Sequence, residues 1–106
     1  IIELKDEQVI PNITRQLFKY VNWTSQYING AINANIQPII VAREIPNVGN
    51  NRIKRKKFES SGQPTIFWQE IRDAFNEFNA RNLAMPIFYY EYNFQNGNIL
   101  FSSINY

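Results

Sequence analysis

The sequence of 106 residues contains neither cysteine nor histidine. Without cysteine the chain cannot form a disulfide or a thiolate zinc site, and without histidine it has no imidazole to bind metal or to move protons. A catalytic metal would therefore need oxygen ligands, which favours magnesium, manganese or calcium.

Long hydrophobic runs are also missing from the sequence. No apolar stretch approaches the roughly 20 residues that span a membrane, and the first residues do not resemble a signal peptide. We therefore expect a cytoplasmic protein with no membrane partner. Apolar residues make up 44% of the chain, which is enough for a core and excludes a wholly disordered protein.

The chain length predicts a single domain over residues 1–106. The net charge of +2 says little about partners, because basic and acidic residues number 11 and 9. The first residues are Ile-Ile-Glu-Leu-Lys, with no Met and already inside a predicted strand, so we expect a fragment of a larger core.

The first half of the chain predicts a strand, a helix and a second strand. The strand covers residues 1–5 and ends at a turn formed by Asp6 and Glu7, and the second strand covers residues 37–43. The helix begins at Asn12 and ends at Gly30. Its apolar residues recur at helical spacing: Ile13, Leu17, Tyr20, Val21 and Ile28. Such a βαβ unit has parallel strands and a right-handed crossover.

The second half predicts a long loop, a helix and a hairpin. The loop covers residues 44–63 and holds a basic run: Arg52, Lys54, Arg55, Lys56 and Lys57. The helix starts near Pro64 and Thr65, and its apolar side carries Phe67, Ile71, Ala74, Phe75 and Phe78.

The hairpin is predicted from Phe88–Phe94, a turn at Asn96 and Gly97, and a second strand over 99–106. A two-residue turn places Phe94 opposite Ile99 and Tyr92 opposite Phe101. One face then carries Phe88, Tyr90, Tyr92 and Phe94, and we expect this face to pack on the second helix. The fold class is therefore α/β.

Two pairs of residues carry candidate chemistry. Glu3 and Lys5 lie two apart on a strand, so both side chains leave the same face, roughly 6–7 Å apart. A carboxylate beside an ammonium forms either an ordinary ion pair or half of a metal-assisted phosphodiester hydrolysis site. Gln16 and Tyr20 lie four apart, on one side of the first helix. Tyr20 could equally be a core residue, whereas a buried Gln16 would need hydrogen-bond partners.

The order I-I-E-L-K, Q-L-F-K-Y-V-N-W and P-I-I-V-A resembles the PD-(D/E)XK nuclease superfamily. NucS-like, RecB-like and restriction-enzyme nuclease domains share this layout, and the resemblance covers about residues 1–43. It implies a restriction-endonuclease-like core and a DNA nuclease that depends on Mg²⁺ or Mn²⁺, with endonuclease action favoured over exonuclease action.

The resemblance also implies roles for individual residues. Glu3 matches the metal-binding acid of the E-x-K element, and Lys5 matches its catalytic lysine. Leu4 would offer its backbone carbonyl to the metal. Gln16 and Tyr20 match the helix pair that lines the active site.

One departure from the family pattern is clear: the Asp of the preceding strand is missing, and Asp6 faces the wrong way to replace it. We therefore expect the 106-residue chain alone to be inactive, with the Asp in a missing N-terminal segment. The alternative is a non-catalytic nucleic-acid-binding module with a degenerate nuclease core. A third hypothesis is a structural domain that uses its hairpin as an interface.

DNA is the expected partner, together with a second copy of the chain or the missing N-terminal part. The basic run would clamp phosphates without sequence preference, because phosphate contacts carry no base information. If that run is only a solvated loop, the DNA surface is expected around Gln16, Lys19 and Tyr20.

Overall fold

The computed structural model describes residues 2–27, 36–55, 65–81 and 84–106. Its helices and strands are β1 (Ile2–Gln8), α1 (Ile13–Tyr27), β2 (Ile39–Arg43), β3 (Asn47–Val48), β4 (Asn51–Arg55), β5 (Thr65–Phe67), α2 (Trp68–Arg81), β6 (Phe88–Gln95) and β7 (Asn98–Ser103). The predicted α/β class is confirmed.

The main sheet has the strand order β1-β2-β6-β7. β1, β2 and β6 are parallel, and β7 pairs with β6 in the antiparallel sense. The predicted parallel β1–α1–β2 unit is therefore confirmed. β1 is longer than expected, because Asp6 and Glu7 continue the strand through an irregularity in its register with β2, instead of forming a turn.

Both helices lie on the same face of this sheet. The chain crosses the sheet in one direction, from β1 to β2 and then from β2 to β6. Because both crossovers are expected to be right-handed, their helices lie on the same side of the sheet. The contacts agree: Phe18 of α1 packs on Phe78 of α2 with ring centroids 4.7 Å apart, and Phe75 of α2 packs on Tyr89 of β6 at 5.2 Å.

The core lies between the sheet and the two helices. Its central side chains come from α1 (Ile13, Leu17, Val21), from α2 (Ile71, Phe75, Phe78) and from the sheet (Ile40, Ala42, Tyr89). Three residues expected on the apolar helix faces are not part of it. Tyr20 is exposed on α1, Phe67 belongs to β5 and is exposed, and Ala74 is only half-buried on α2. Ile28 lies outside the described residues.

The predicted loop over residues 44–63 is wrong in part. β3 and β4 pair with each other, and β4 pairs with β5, so these strands form a small antiparallel ribbon. The expected helix start near Pro64 and Thr65 is also wrong, because Thr65 belongs to β5 and α2 begins at Trp68. The strands escaped detection because they are short and their sequences lack an apolar alternation.

The C-terminal hairpin is confirmed with its predicted register, in which Phe94 pairs with Ile99 and Tyr92 with Phe101. Its second strand is shorter than predicted, because β7 ends at Ser103 and not at Tyr106. Asn96 and Gly97 both have positive φ, 50° and 78°, as a type I′ turn requires.

The expected packing of the hairpin on α2 is wrong about the face. Tyr89 and Glu91 point toward the helices. On the opposite face of the sheet Phe88 and Phe94 are exposed, whereas Tyr92 is buried and its ring contacts those of Phe94 and Phe101. The sequence Phe-Tyr-Tyr-Glu-Tyr-Asn-Phe places aromatic rings on both faces of the strand. Alternation alone therefore could not decide which face is buried.

The opposite side of the sheet, which we call the open face, continues onto the other strands. Register places Ile2 beside Ile39 and Phe88, and Leu4 beside Val41 and Tyr90. Ile2 and Leu4 are 67% and 70% exposed. Neither α1 nor α2, the two helices of the described chain, has the length and apolar character needed to cross a membrane.

The turn geometry gives a first prediction. Gly97→Ala should lower the free energy of unfolding by about 1 kcal/mol, because an L-residue with a Cβ is disfavoured at positive φ. The added Cβ meets no atom within 4 Å, so the cost is conformational and not steric. Denaturant unfolding measures this change. Gly97→Asn is the matched variant and should lose less, because Asn tolerates this conformation. Equal stabilities of Gly97→Ala and the parent would contradict the turn.

Candidate functional site

Glu3 lies on β1 at the edge of the sheet, on the face that the helices cover. Its register partner is Ile40, which pairs in turn with Tyr89, and both of these side chains are buried in the core. Paired residues of neighbouring strands point to the same face. The half-buried Glu3 carboxylate therefore points into the helix layer at an open edge, whereas the Leu4 side chain points to the open face.

Lys5 follows Glu3 by two residues on the same strand. Its side chain lies outside the described part of the structure.

The side of α1 that carries Gln16 and Tyr20 follows from helix geometry. Leu17 and Val21 are buried against the sheet, and Phe18 packs on α2. Successive helical residues are about 100° apart, so Gln16 projects about 200° from Phe18. Gln16 and Tyr20 therefore lie on the side of α1 that faces away from α2.

That side of α1 lies over the β1 edge. Among the described strands β1 is the edge strand of the main sheet, and α2 lies toward β6, so the direction away from α2 leads to the β1 edge. The geometry therefore places Glu3, Gln16 and Tyr20 at the same border of the molecule. Gln16 and Tyr20 are exposed there.

The donors at this border are oxygen atoms, which suit Mg²⁺ or Mn²⁺. Glu3 supplies a carboxylate, and the peptide of Leu4 supplies a carbonyl beside it. Within the described ranges there is no group of three or more acidic, His or Cys residues that could hold a metal.

The predicted basic run does not form one uniform surface. Arg52 donates two hydrogen bonds to the carboxylate of Glu91, and its guanidinium lies 4.2 Å from the centre of the Trp68 ring. Lys54 Nζ donates to the backbone oxygen of Gln8 at 3.0 Å, which ties β4 to the end of β1.

The structure gives less information on the other basic residues that were predicted to bind DNA. Arg55 ends β4, and its side chain is not described. Lys56 and Lys57 lie outside the described residues. Lys19 is exposed on α1.

A buried polar cluster surrounds Glu91, and sequence patterns did not predict it. This carboxylate is 3% exposed, and it accepts hydrogen bonds from Arg52 and from the Tyr89 hydroxyl. The ring of Trp68, the first residue of α2, stacks on Tyr89 with centroids 5.8 Å apart. One sequence feature could have indicated the cluster. Glu91 lies two residues after Tyr89 in an aromatic strand, so both side chains are on one face, and a carboxylate buried there needs a basic partner.

The cluster joins the ribbon to the main sheet, because Arg52 belongs to β4 and Glu91 to β6. Burial raises the pKa of the Tyr89 hydroxyl, and its hydrogen bond to the Glu91 carboxylate raises that pKa further. This arrangement explains stability and local geometry, and it supplies no solvent-facing reactive group.

Comparison of the chain with protein-family models, with curated proteins and with solved structures returned no match.

The raised pKa of Tyr89 predicts how stability depends on pH. The unfolded chain releases the tyrosine proton near pH 10, whereas the folded chain retains it. The unfolded state then binds fewer protons, so the free energy of unfolding falls above pH 10, by up to about 1.4 kcal/mol per pH unit. Tyr89→Phe should show a shallower fall. Denaturant unfolding between neutral and alkaline pH measures both slopes, and identical slopes would show that Tyr89 is not buried as described.

Proposed function

We propose that this chain forms part of a divalent-metal-dependent DNA nuclease of the PD-(D/E)XK type. The observation that carries the proposal is the common position of Glu3, Gln16 and Tyr20 at the β1 edge, on a parallel β1–α1–β2 unit. An E-x-K strand followed by a Q-x-x-x-Y helix is the arrangement that the sequence resembles.

The proposed roles follow from the chemistry of each group. Glu3 and the Leu4 carbonyl would hold Mg²⁺ or Mn²⁺, which supplies Lewis-acid stabilisation of charge on the phosphate when it is bound. Lys5 orients or deprotonates the attacking water and offsets the negative charge that develops on the phosphate. Gln16 and Tyr20 position the DNA backbone. The second carboxylate must come from a further segment or a partner.

The alternative function is nucleic-acid binding without cleavage. This alternative is consistent with the described residues, among which no three acidic side chains lie close enough together to hold a metal ion. In that case the same border of the molecule and the segment after Arg52 bind phosphates, and Glu3 has only a structural role. The two functions share DNA as partner and differ in the need for metal.

Variants of the E-x-K pair test the catalytic proposal. In the natural protein, Glu3→Ala and Lys5→Ala should each abolish cleavage of DNA in the presence of Mg²⁺, because metal binding or water activation is removed. DNA affinity and the free energy of unfolding should change little. Cleavage is followed on gels with labelled duplexes, and a chelator should stop it.

The matched controls are Glu77→Ala and Arg81→Ala, which remove the same kinds of charge from an exposed pair on α2. Both controls should cleave at the parental rate. Parental cleavage by the Glu3 and Lys5 variants would exclude the E-x-K assignment. A parent that binds DNA but never cleaves it would favour the binding module.

The segment after Arg52 supplies a test of phosphate binding. Replacing Arg55, Lys56 and Lys57 together with Gln should weaken binding equally for unrelated duplexes. The slope of log affinity against log salt should fall by about 0.9 for each phosphate that the protein no longer neutralises. Arg52 is left unchanged because its guanidinium holds Glu91, and Lys54 because it holds Gln8.

The control for this test is the double variant Arg72→Gln and Arg81→Gln on α2, which lowers the charge without touching the segment. Its salt slope should equal that of the parent. An unchanged slope in the triple variant would show that the segment does not bind DNA.

A further inference from the structure

A line of exposed aromatic side chains runs along α1. Tyr20, Trp23 and Tyr27 follow Gln16 at spacings of four, three and four, which keeps all of them on one side of a helix. Their exposed fractions are 44%, 56% and 68%. The rings of Trp23 and Tyr27 lie 5.5 Å apart, at an angle of 36° to each other. We call Tyr20, Trp23 and Tyr27 the aromatic stripe.

The core does not account for the aromatic stripe. Helix α1 buries Ile13, Leu17 and Val21, and Phe18 supplies its contact with α2. The stripe lies on the remaining side, toward the β1 edge. Large exposed rings in a row are uncommon unless they serve as a contact surface.

The aromatic stripe also lies close to Glu3 along the sheet. α1 runs back along β1, because it connects the end of β1 to the start of a parallel strand. With a rise of about 1.5 Å per helical residue and 3.3 Å per strand residue, the helix comes level with Glu3 roughly at Trp23. A ligand on the stripe therefore extends to the candidate active site.

The charge of α1 indicates the nature of that ligand. Arg15 and Lys19 are its only charged residues, and Lys19 lies one turn before Trp23. Helix α2, in contrast, has three acidic and two basic residues: Glu70, Asp73 and Glu77 against Arg72 and Arg81. A surface with flat rings and positive charge, and with no negative charge on its own helix, suits a polyanion that carries flat groups of its own.

We propose that the aromatic stripe binds single-stranded nucleic acid by stacking on unpaired bases, with Lys19 and Arg15 contacting the phosphates. In a duplex the faces of the bases are covered by their neighbours, so the rings can stack only on unpaired bases. This inference deepens the proposed function, on which it rests for the identity of the ligand as a DNA substrate. It assigns the substrate class: DNA with a single-stranded segment beside the scissile phosphate.

Binding measurements in a chelator test the inference separately from cleavage. Fluorescence anisotropy of a labelled oligothymidylate and of a blunt hairpin duplex gives the two affinities for the natural protein. We expect tighter binding of the single strand. Trp23→Ala and Tyr27→Ala should each weaken single-strand binding by roughly ten-fold, because stacking contributes this much per base, and should leave duplex binding nearly unchanged.

Two further substitutions separate stacking from simple apolar contact. Trp23→Phe keeps a flat ring and should retain most of the affinity, whereas Trp23→Leu keeps the apolar surface and should bind as weakly as Trp23→Ala. The matched control is Phe101→Ala, which removes a ring of similar exposure from the open face. This control should bind as the parent does.

Several outcomes would overturn the inference. These are equal affinity for single strand and duplex, undiminished binding by Trp23→Ala, full binding by Trp23→Leu, and an equally weakened Phe101→Ala. A dimer that Trp23→Ala dissociates in sedimentation experiments would make the aromatic stripe a subunit contact instead. Retained single-strand preference in a protein that never cleaves DNA would support the stripe and reject only the nuclease.

Discussion

The direction of the two crossovers is the constraint on which the rest of the structure depends. Because β2 follows β1 and β6 follows β2 across the sheet in one direction, α1 and α2 share a single face. Their mutual contact through Phe18 and Phe78 fixes which side of α1 faces outward. The position of Gln16 and the aromatic stripe along the β1 edge, which also carries Glu3, is thus a result of topology.

The Glu91 cluster serves a different purpose, because it determines where the ribbon lies. The Glu91 carboxylate is buried and the Arg52 guanidinium is partly buried, so both lose hydration at a cost that their attraction only partly offsets. The hydrogen bond from Tyr89 to Glu91 and the contact of Arg52 with Trp68 add to the compensation. Removing either partner would leave the other poorly solvated. The cluster therefore fixes one arrangement of β4 against β6, and with it the point from which the segment after Arg52 extends.

The sequence predicted the helix and the hairpin whose formation depends on residues close together in the chain. The helical spacing of Ile13, Leu17 and Val21 gave α1, and the Asn96-Gly97 turn gave the hairpin with its register. The ribbon was not predicted, since its strands are short and lack an apolar alternation, and the Gly49-Asn50 turn between β3 and β4 was its only local signal. The pairing of Arg52 with Glu91 across 39 residues has no local pattern at all. For the candidate site, the sequence indicated Glu3 and the Gln16–Tyr20 pair, but only the sheet order shows that they share one border.

The open face has a consequence for how the protein behaves in solution. A folded monomer rarely exposes a continuous apolar patch of more than a few hundred Å². Here Ile2 and Leu4 on β1 and Phe88 and Phe94 on β6 are all at least half exposed on the open face. A net charge of +2 adds little electrostatic repulsion between molecules. Contact between two such faces would therefore remove apolar surface from water with little electrostatic opposition.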